Sequence, residues 1–222
     1  MIRLRGVTKV FNQGRPNEFR AIRGIDLDLR MNRAIVLKGP SGSGKTTLLA
    51  MIGCLSRPSE GRIELEGEIL SGLPERFMTE VRRRSFGFVF QQFNLIQGLS
   101  LLENVMLPAY PLGPCPRELK TRAEQLLRRF DLLPKARQPV QWLSGGEQQR
   151  GAICRALIND PRIIIADEPT ANLDSRLSRE LMGLLEELVE AGKTLIVSSH
   201  DPLVFEHDLI HQVVELRDGR LA

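Results

Sequence analysis

Several short groups of residues in this chain are of the types that hold phosphates, metal ions and activated water. Gly39-Pro-Ser-Gly-Ser-Gly-Lys45-Thr46 fits the pattern GxxxxGK[ST], with an apolar run before it and a helical pattern after it. Glycines let successive backbone N–H groups turn inward around an anion, and the following helix start adds partial positive charge. In such a loop Lys45 is placed to contact the β- and γ-phosphates of a nucleotide, and the Thr46 hydroxyl to ligate Mg2+. Downstream, the apolar run Ile163–Ala166 ends in Asp167 and Glu168. A strand buried on both faces reads as continuous apolar sequence, and ligands gather at its carboxyl end. Asp167 would hold the metal and Glu168 would polarise an attacking water, a form of help worth roughly 10²–10⁴-fold in rate.

Between these groups stands Leu143-Ser-Gly-Gly-Glu-Gln-Gln-Arg150. Taken alone, Ser144-Gly145-Gly146-Glu147 reads as an ordinary capped helix start. His200 follows the apolar strand 194–198 at its carboxyl end, a placement that favours a ligand contact. His207 and His211 have no such placement and receive no role.

The elements that must position these groups follow from periodicity. Ile2, Leu4 and Val7 alternate with polar residues, as do Ile25, Leu27 and Leu29, predicting half-buried antiparallel strands. Ala34–Leu37 is a short strand running into the glycine loop, and Lys45–Leu55 reads as a helix. Ser59–Gly61 reads as a turn before Ile63/Leu65 alternation. From about Leu73 to Arg137 the pattern is mostly helical, broken by Pro108, Pro111, Pro114 and Pro116. A helix is predicted over 145–158, and a strand over 162–166. A further helix carries Leu177, Leu181, Leu184, Leu185 and Leu188 on one stripe. Asp218-Gly219 closes a terminal hairpin. Strands alternating with helices around a phosphate loop predict an α/β fold with a mainly parallel sheet.

The order of phosphate loop, Ser-Gly-Gly helix start, Asp-Glu and His resembles that of the ATP-binding cassette (ABC) ATPases, over essentially the whole chain. The resemblance implies one nucleotide-binding domain spanning 1–222. A core with an antiparallel β subdomain would occupy about 1–90 and 160–222, and a helical subdomain about 91–158. It implies ATP and Mg2+ as ligands, hydrolysis of ATP to ADP and phosphate, and the following site. Gly39, Ser41, Gly42, Ser43, Gly44, Lys45, Thr46 and Thr47 cradle the nucleotide. Phe11 stacks on adenine in a position where Tyr is frequent. Gln91 senses Mg2+ beside Thr46 and Asp167, with its neighbour Gln92 the weaker candidate. Glu168, His200, Gln91 and Lys45 are the catalytic set. Ser144, Gly145, Gly146, Glu147 and Asp174 would act on the ATP of a second copy, so a head-to-tail homodimer is implied. Ile52-Gly-Cys-Leu and Gly87–Ile96 are similar to the MacB/LolD/FtsE group of macrolide export, lipoprotein release and cell-division signalling. In that group a separate membrane permease is driven, here through contacts near 91–108 such as Phe93, Leu95, Ile96, Leu99 and Leu102, for each of which a plain core role is equally open. The expected location is the cytoplasmic face of the membrane, held there by the permease.

Composition agrees with this reading and narrows the alternatives. The 222 residues carry a net charge of +4, with 42% hydrophobic and 26% charged residues, ordinary for a globular protein. Arg82–Arg84 is the only tight basic run and reads as a solvated strip, so no nucleic-acid partner is expected. No apolar run approaches the ~20 residues needed to cross a bilayer, and Met1–Arg5 alternates like a strand rather than a signal peptide. Cys54, Cys115 and Cys154 lack metal spacing. Cys54 and Cys154 sit in apolar helical stretches and read as buried thiols in a reducing compartment. A soluble ABC ATPase of DNA repair or translation remains the alternative, though no coiled-coil insertion or zinc module is visible. A small-molecule kinase would need neither Ser144-Gly-Gly nor His200.

Overall fold

The computed structural model describes residues 1–171 and 173–222; Asn172, in the Ala171–Asp174 stretch, lies outside the described residues. The chain opens with two long strands, β1 (Ile2–Phe11) and β2 (Phe19–Leu29), paired antiparallel from Ile2↔Leu29 to Phe11↔Phe19. β3 (Ala34–Lys38) runs into the glycine loop and α1 (Lys45–Ile52). β4 (Glu60–Leu65) and β5 (Glu68–Ile69) complete an antiparallel sheet in the order β2-β1-β4-β5.

After α2 (Glu75–Ser85) and β6 (Phe86–Val89) the chain turns helical. α3 (Leu101–Met106), a 3-10 turn at Leu107–Leu112, α4 (Pro116–Arg129) and α5 (Gly145–Leu157) all lie between β6 and β7 (Ile163–Asp167). α6 (Ser175–Glu190), β8 (Thr194–Ser199), α7 (Pro202–Phe205), β9 (Ile210–Arg217) and β10 (Arg220–Leu221) finish the chain. The second sheet has the order β10-β9-β3-β8-β7-β6, parallel from β9 to β6. This is the α/β architecture expected, with its mainly parallel sheet, antiparallel β unit and helical insertion.

β3 and β7, which lead into the site, are apolar up to their last residue because each faces two cores. Ala34 and Val36 of β3 point into one cluster and Ile35 and Leu37 into the other; Ile164/Ala166 and Ile163/Ile165 of β7 divide the same way. One core joins the sheet to α4, α5 and α6. The other fills the space between the two sheets around α1. α4 shows how a stripe builds this: Pro116 starts it, and Leu119, Ala123 and Leu127 at i, i+4, i+8 are its buried residues.

Three expectations need correction. The stretch 73–137 contains β6, a four-residue strand too short to display a period. Helix α1 ends at Ile52 rather than Leu55: the backbone turns at Gly53, and Cys54, with φ +59, is buried in the turn rather than in a helix. Ser59–Gly61 is not a chain reversal, for β4 begins at Glu60. Gly61, at φ +82, is required by close approach to β1, since a Cβ there would lie 2.3 Å from the Gly6 carbonyl oxygen.

β6 and α5 pack equally closely. A Cβ at Gly87 would stand 2.4 Å from the Ala156 oxygen and 2.9 Å from Pro161 Cγ. Gly87→Ala must push the end of α5 away from the sheet, and urea denaturation should show a loss of about 1–3 kcal/mol, the usual cost of overpacking. An unchanged midpoint would contradict this packing.

Candidate functional site

The glycine loop wraps the N-terminus of α1, whose N-cap, Gly44, has φ +103 and supplies no side-chain cap. The first N–H groups of a helix have no intrahelical acceptor, so an uncapped start at this point is open to an anion. Ser43 Oγ is buried and finds no hydrogen-bond partner among the described residues. Lys45 Nζ donates to the carbonyl oxygens of Gly39 (2.8 Å) and Pro40 (3.0 Å) and lies 3.5 Å from Glu168 Oε1. Ser41, Gly42, Gly44, Lys45, Thr46, Thr47, Gln91, Glu168 and His200 line one cleft of about 310 Å3 together with Phe19 and Ala21.

Two carboxylates sit at the carboxyl end of β7. Thr46 Oγ1 donates to Asp167 Oδ1 at 3.1 Å, tying α1 to the strand. Ser198 Oγ, on β8, also donates to Asp167 Oδ1 and accepts the Glu168 N–H at 2.9 Å. Glu168 has φ +45, a left-handed conformation costly for a residue with a Cβ. Its N–H also reaches the Ser198 carbonyl oxygen at 3.1 Å, so β8 holds this strained backbone in place. The Glu168 carboxylate is 11% exposed and stands between Lys45 and His200, whose Nδ1 is 3.0 Å from both of its oxygens.

The Ser-Gly-Gly start lies elsewhere. Ser144 Oγ accepts the Glu147 N–H at 3.3 Å while Glu147 Oε2 accepts the Ser144 N–H at 2.8 Å, a reciprocal capping box at the tip of α5. The Ser144 N–H, helped by Lys135 at 3.7 Å, holds the Glu147 carboxyl below its usual pKa. Asp174 Oδ1 caps α6, accepting from the N–H groups of Arg176 and Leu177 at 2.9 Å each. Ser144, Gly145, Gly146, Glu147 and Asp174 line a second groove, of about 910 Å3, and none of them lines the Lys45 cleft.

The structure thus brings most of the sequence-predicted residues into one cleft or the other. Gly39 and Asp167 join the first through Lys45 and Thr46. Phe11 sits at the end of β1, 41% exposed, with Lys9 Nζ 5.3 Å above its ring. It is Phe19, its cross-strand partner, that lines the Lys45 cleft. Phe19 and Ser198 were missed from sequence, because only the β1–β2 and β7–β8 pairings bring them to the site. His207 and His211 accept backbone N–H groups, of Leu209 and Ala34. Cys54 and Cys154 are buried, and burial raises both thiol pKa values, that of Cys54 to about 11; Cys115 is exposed.

The donors fit the implied ligands. An orphaned buried hydroxyl beside an uncapped helix start suits a phosphate. The Thr46, Asp167 and Gln91 side chains offer oxygens of the kind Mg2+ takes. Among the described residues there is no cluster of three or more His, Cys, Asp or Glu that could hold a metal by itself.

The sequence profile of the ABC transporter family matches residues 22–171, a span running from β2 through the glycine loop, the Ser144 tip and the Asp167-Glu168 pair. This chain belongs to the ABC transporter family. It is 46% identical, over all of its length, to a macrolide export ATP-binding/permease protein MacB of Nitrosomonas europaea. It spans only about a third (33%) of that relative. An uncharacterised ABC transporter ATP-binding protein of Thermotoga maritima is 42% identical over 97% of this chain and 91% of its own length. Among solved structures, the ATP-binding cassette MJ0796, in a dimeric post-hydrolysis state bound to ADP and Pi, superposes with a TM-score of 0.91 at 39% identity, covering 100% of this chain and 96% of that one.

The Ser198 bridge between the two strands is open to test. Ser198→Ala removes a donor to Asp167 and leaves that carboxylate short of a partner. Hydrogen bonds to charged groups are worth about 1.5–3 kcal/mol, so denaturant unfolding should show a loss in that range; a loss under ~0.5 kcal/mol would mean the bridge holds nothing.

Proposed function

We propose that the chain is the ATP-binding and ATP-hydrolysing subunit of a membrane ABC transporter, acting as a dimer of two copies beneath a separate integral membrane subunit. The observation that carries this reading is the assembly of Lys45, Thr46, Gln91, Glu168 and His200 around one cleft while the Ser144 tip faces another groove. A second copy, turned head to tail, would bring its Ser144 and Gly146 to the open side of the Lys45 cleft.

In this mechanism the glycine loop and the α1 N-terminus bind the β- and γ-phosphates of ATP. Lys45 leaves the Gly39 and Pro40 carbonyls for the phosphate oxygens. That frees Glu168 to orient a water and accept its proton as the water oxygen bonds to the γ-phosphorus and the bond to the ADP oxygen breaks. His200, on the far side of Glu168, holds the carboxylate and contacts the γ-phosphate. Thr46, Asp167 and Gln91 are the residues that would hold Mg2+, which when bound with the nucleotide supplies charge neutralisation at the phosphate oxygens. Phe11 and the neighbouring hairpin residues face the adenine. Asp174 and the Ser144 tip act across the dimer interface.

Coupling to the membrane subunit is assigned to the helical insertion, about 91–158, moving as a unit on a core of about 1–90 and 160–222. Exposed Ile96, Tyr110 and Leu112 on this part supply an apolar surface for a partner, whereas Leu95 and Leu102 pack against the core. No helix among the described residues is long and apolar enough to cross a membrane, so the spanning part is assigned to another chain or segment. The work driven is export, lipoprotein release or transmembrane signalling of the MacB/LolD/FtsE kind, at the cytoplasmic face of the membrane.

Glu168→Gln keeps the shape of the site and removes the base. ATP binding and ATP-dependent dimers, followed by size-exclusion chromatography, should persist, while phosphate release falls by roughly 10²–10⁴-fold. Turnover within about twofold of wild type would remove Glu168 from the role of base.

A further inference from the structure

Helix α5 carries the Ser144 tip at its start and Arg155 near its end. The Arg155 side chain is half-buried, and desolvation lowers its pKa from the ordinary arginine value. The hydrogen bonds it makes go to backbone carbonyls: Nη2 donates to the Phe93 oxygen at 2.6 Å and Nη1 to the Asn94 oxygen. These two acceptors are consecutive residues with φ +57 and +50. Left-handed backbone is unfavourable for a residue such as Phe, and two charge-assisted hydrogen bonds are enough to hold it there. The same segment is pinned a second time. Asn104, fully buried on α3, accepts the Ile96 N–H at 2.6 Å and donates to the Ile96 carbonyl at 3.1 Å. The strained turn begins two residues after Gln91, which lines the nucleotide cleft. A half-buried cation placed only to fill space would not need two carbonyls of one turn. The arrangement instead sets the path of the chain leaving Gln91.

We propose that Arg155 is a positioning residue for Gln91: by holding the Phe93–Asn94 turn in its left-handed form it fixes where the Gln91 side chain enters the cleft, and ties that placement to the helix that bears Ser144. The inference rests on the role proposed above for Gln91 beside Mg2+. It gives α5 two functions at once, because a shift of its tip toward a second copy would be transmitted through Arg155 to the loop beside the metal.

The experiment is a Mg2+ titration of ATP hydrolysis by the full chain at saturating ATP. Arg155→Lys keeps the charge but loses the planar guanidinium fork that spans the Phe93 and Asn94 carbonyls, and should raise the Mg2+ concentration for half-maximal turnover about tenfold while Mg2+-free ATP binding stays within about twofold. Combined with Gln91→Ala it should do no further harm than Gln91→Ala alone. Asn94→Val, an exposed β-branched substitution that disfavours the left-handed turn while leaving the Arg155 side chain and its carbonyl acceptors in place, should shift the Mg2+ requirement in the same direction and carries the test if Arg155→Lys does not fold. A purely structural arginine would lower thermal stability and leave the Mg2+ requirement alone. Additive effects of Arg155→Lys and Gln91→Ala, or an unmoved Mg2+ requirement in both Arg155→Lys and Asn94→Val, would overturn the inference while leaving the ATPase reading standing. If Gln91→Ala itself leaves the Mg2+ requirement unchanged, the proposed role of Gln91 fails, and this inference with it.

Discussion

One chain holds two half-sites that do not meet. The phosphate loop, Glu168 and His200 share one cleft, and the Ser144–Glu147 tip with Asp174 shares another. No single copy as folded can surround a triphosphate with both. The proposed mechanism depends on that separation, since under it a second copy takes part in the chemistry.

The rest of the architecture holds each of the two sites in place. β3, β7 and β8 are buried on both faces, so their carboxyl ends are fixed by two cores at once. At that fixed edge Thr46 and Ser198 converge on Asp167, and Ser198 also holds the left-handed Glu168. Strain of this kind persists only where neighbouring structure over-determines it. The other half depends on α5, whose capping box orients Ser144 and whose buried face packs into the helical core. Lys45 and Glu168, each about a tenth exposed or less, stay compatible with burial because they lie near one another. An incoming phosphate would compete with Glu168 for the same ammonium group.

Much of this was legible in the sequence because the decisive groups are local. The glycine loop is contiguous and flanked by β3 and α1, so its geometry follows from neighbours along the chain. Asp167-Glu168 follow, and His200 closely follows, a short apolar run that reads as a buried strand. What was not legible depends on pairing at a distance. Phe19 reaches the cleft because β1 and β2 align residue 11 with residue 19, and Ser198 reaches Asp167 because β7 and β8 pair in register. β6 was hidden within a helical stretch because four residues carry no period. Gly61 resembled part of a turn because a glycine needed for close approach has the same letter as one needed for reversal. Arg155 gives no local sign at all: its acceptors are 62 and 61 positions away.

The proposed shared site can be tested directly, because the only tryptophan in the chain, Trp142, is 71% exposed two positions before Ser144. Its emission reports whatever comes to cover that tip. In the Glu168→Gln variant with saturating Mg2+ and ATP, the account predicts a change in Trp142 emission that grows with protein concentration and tracks the dimer fraction. An emission that stays constant at every protein concentration while ATP is demonstrably bound would contradict it.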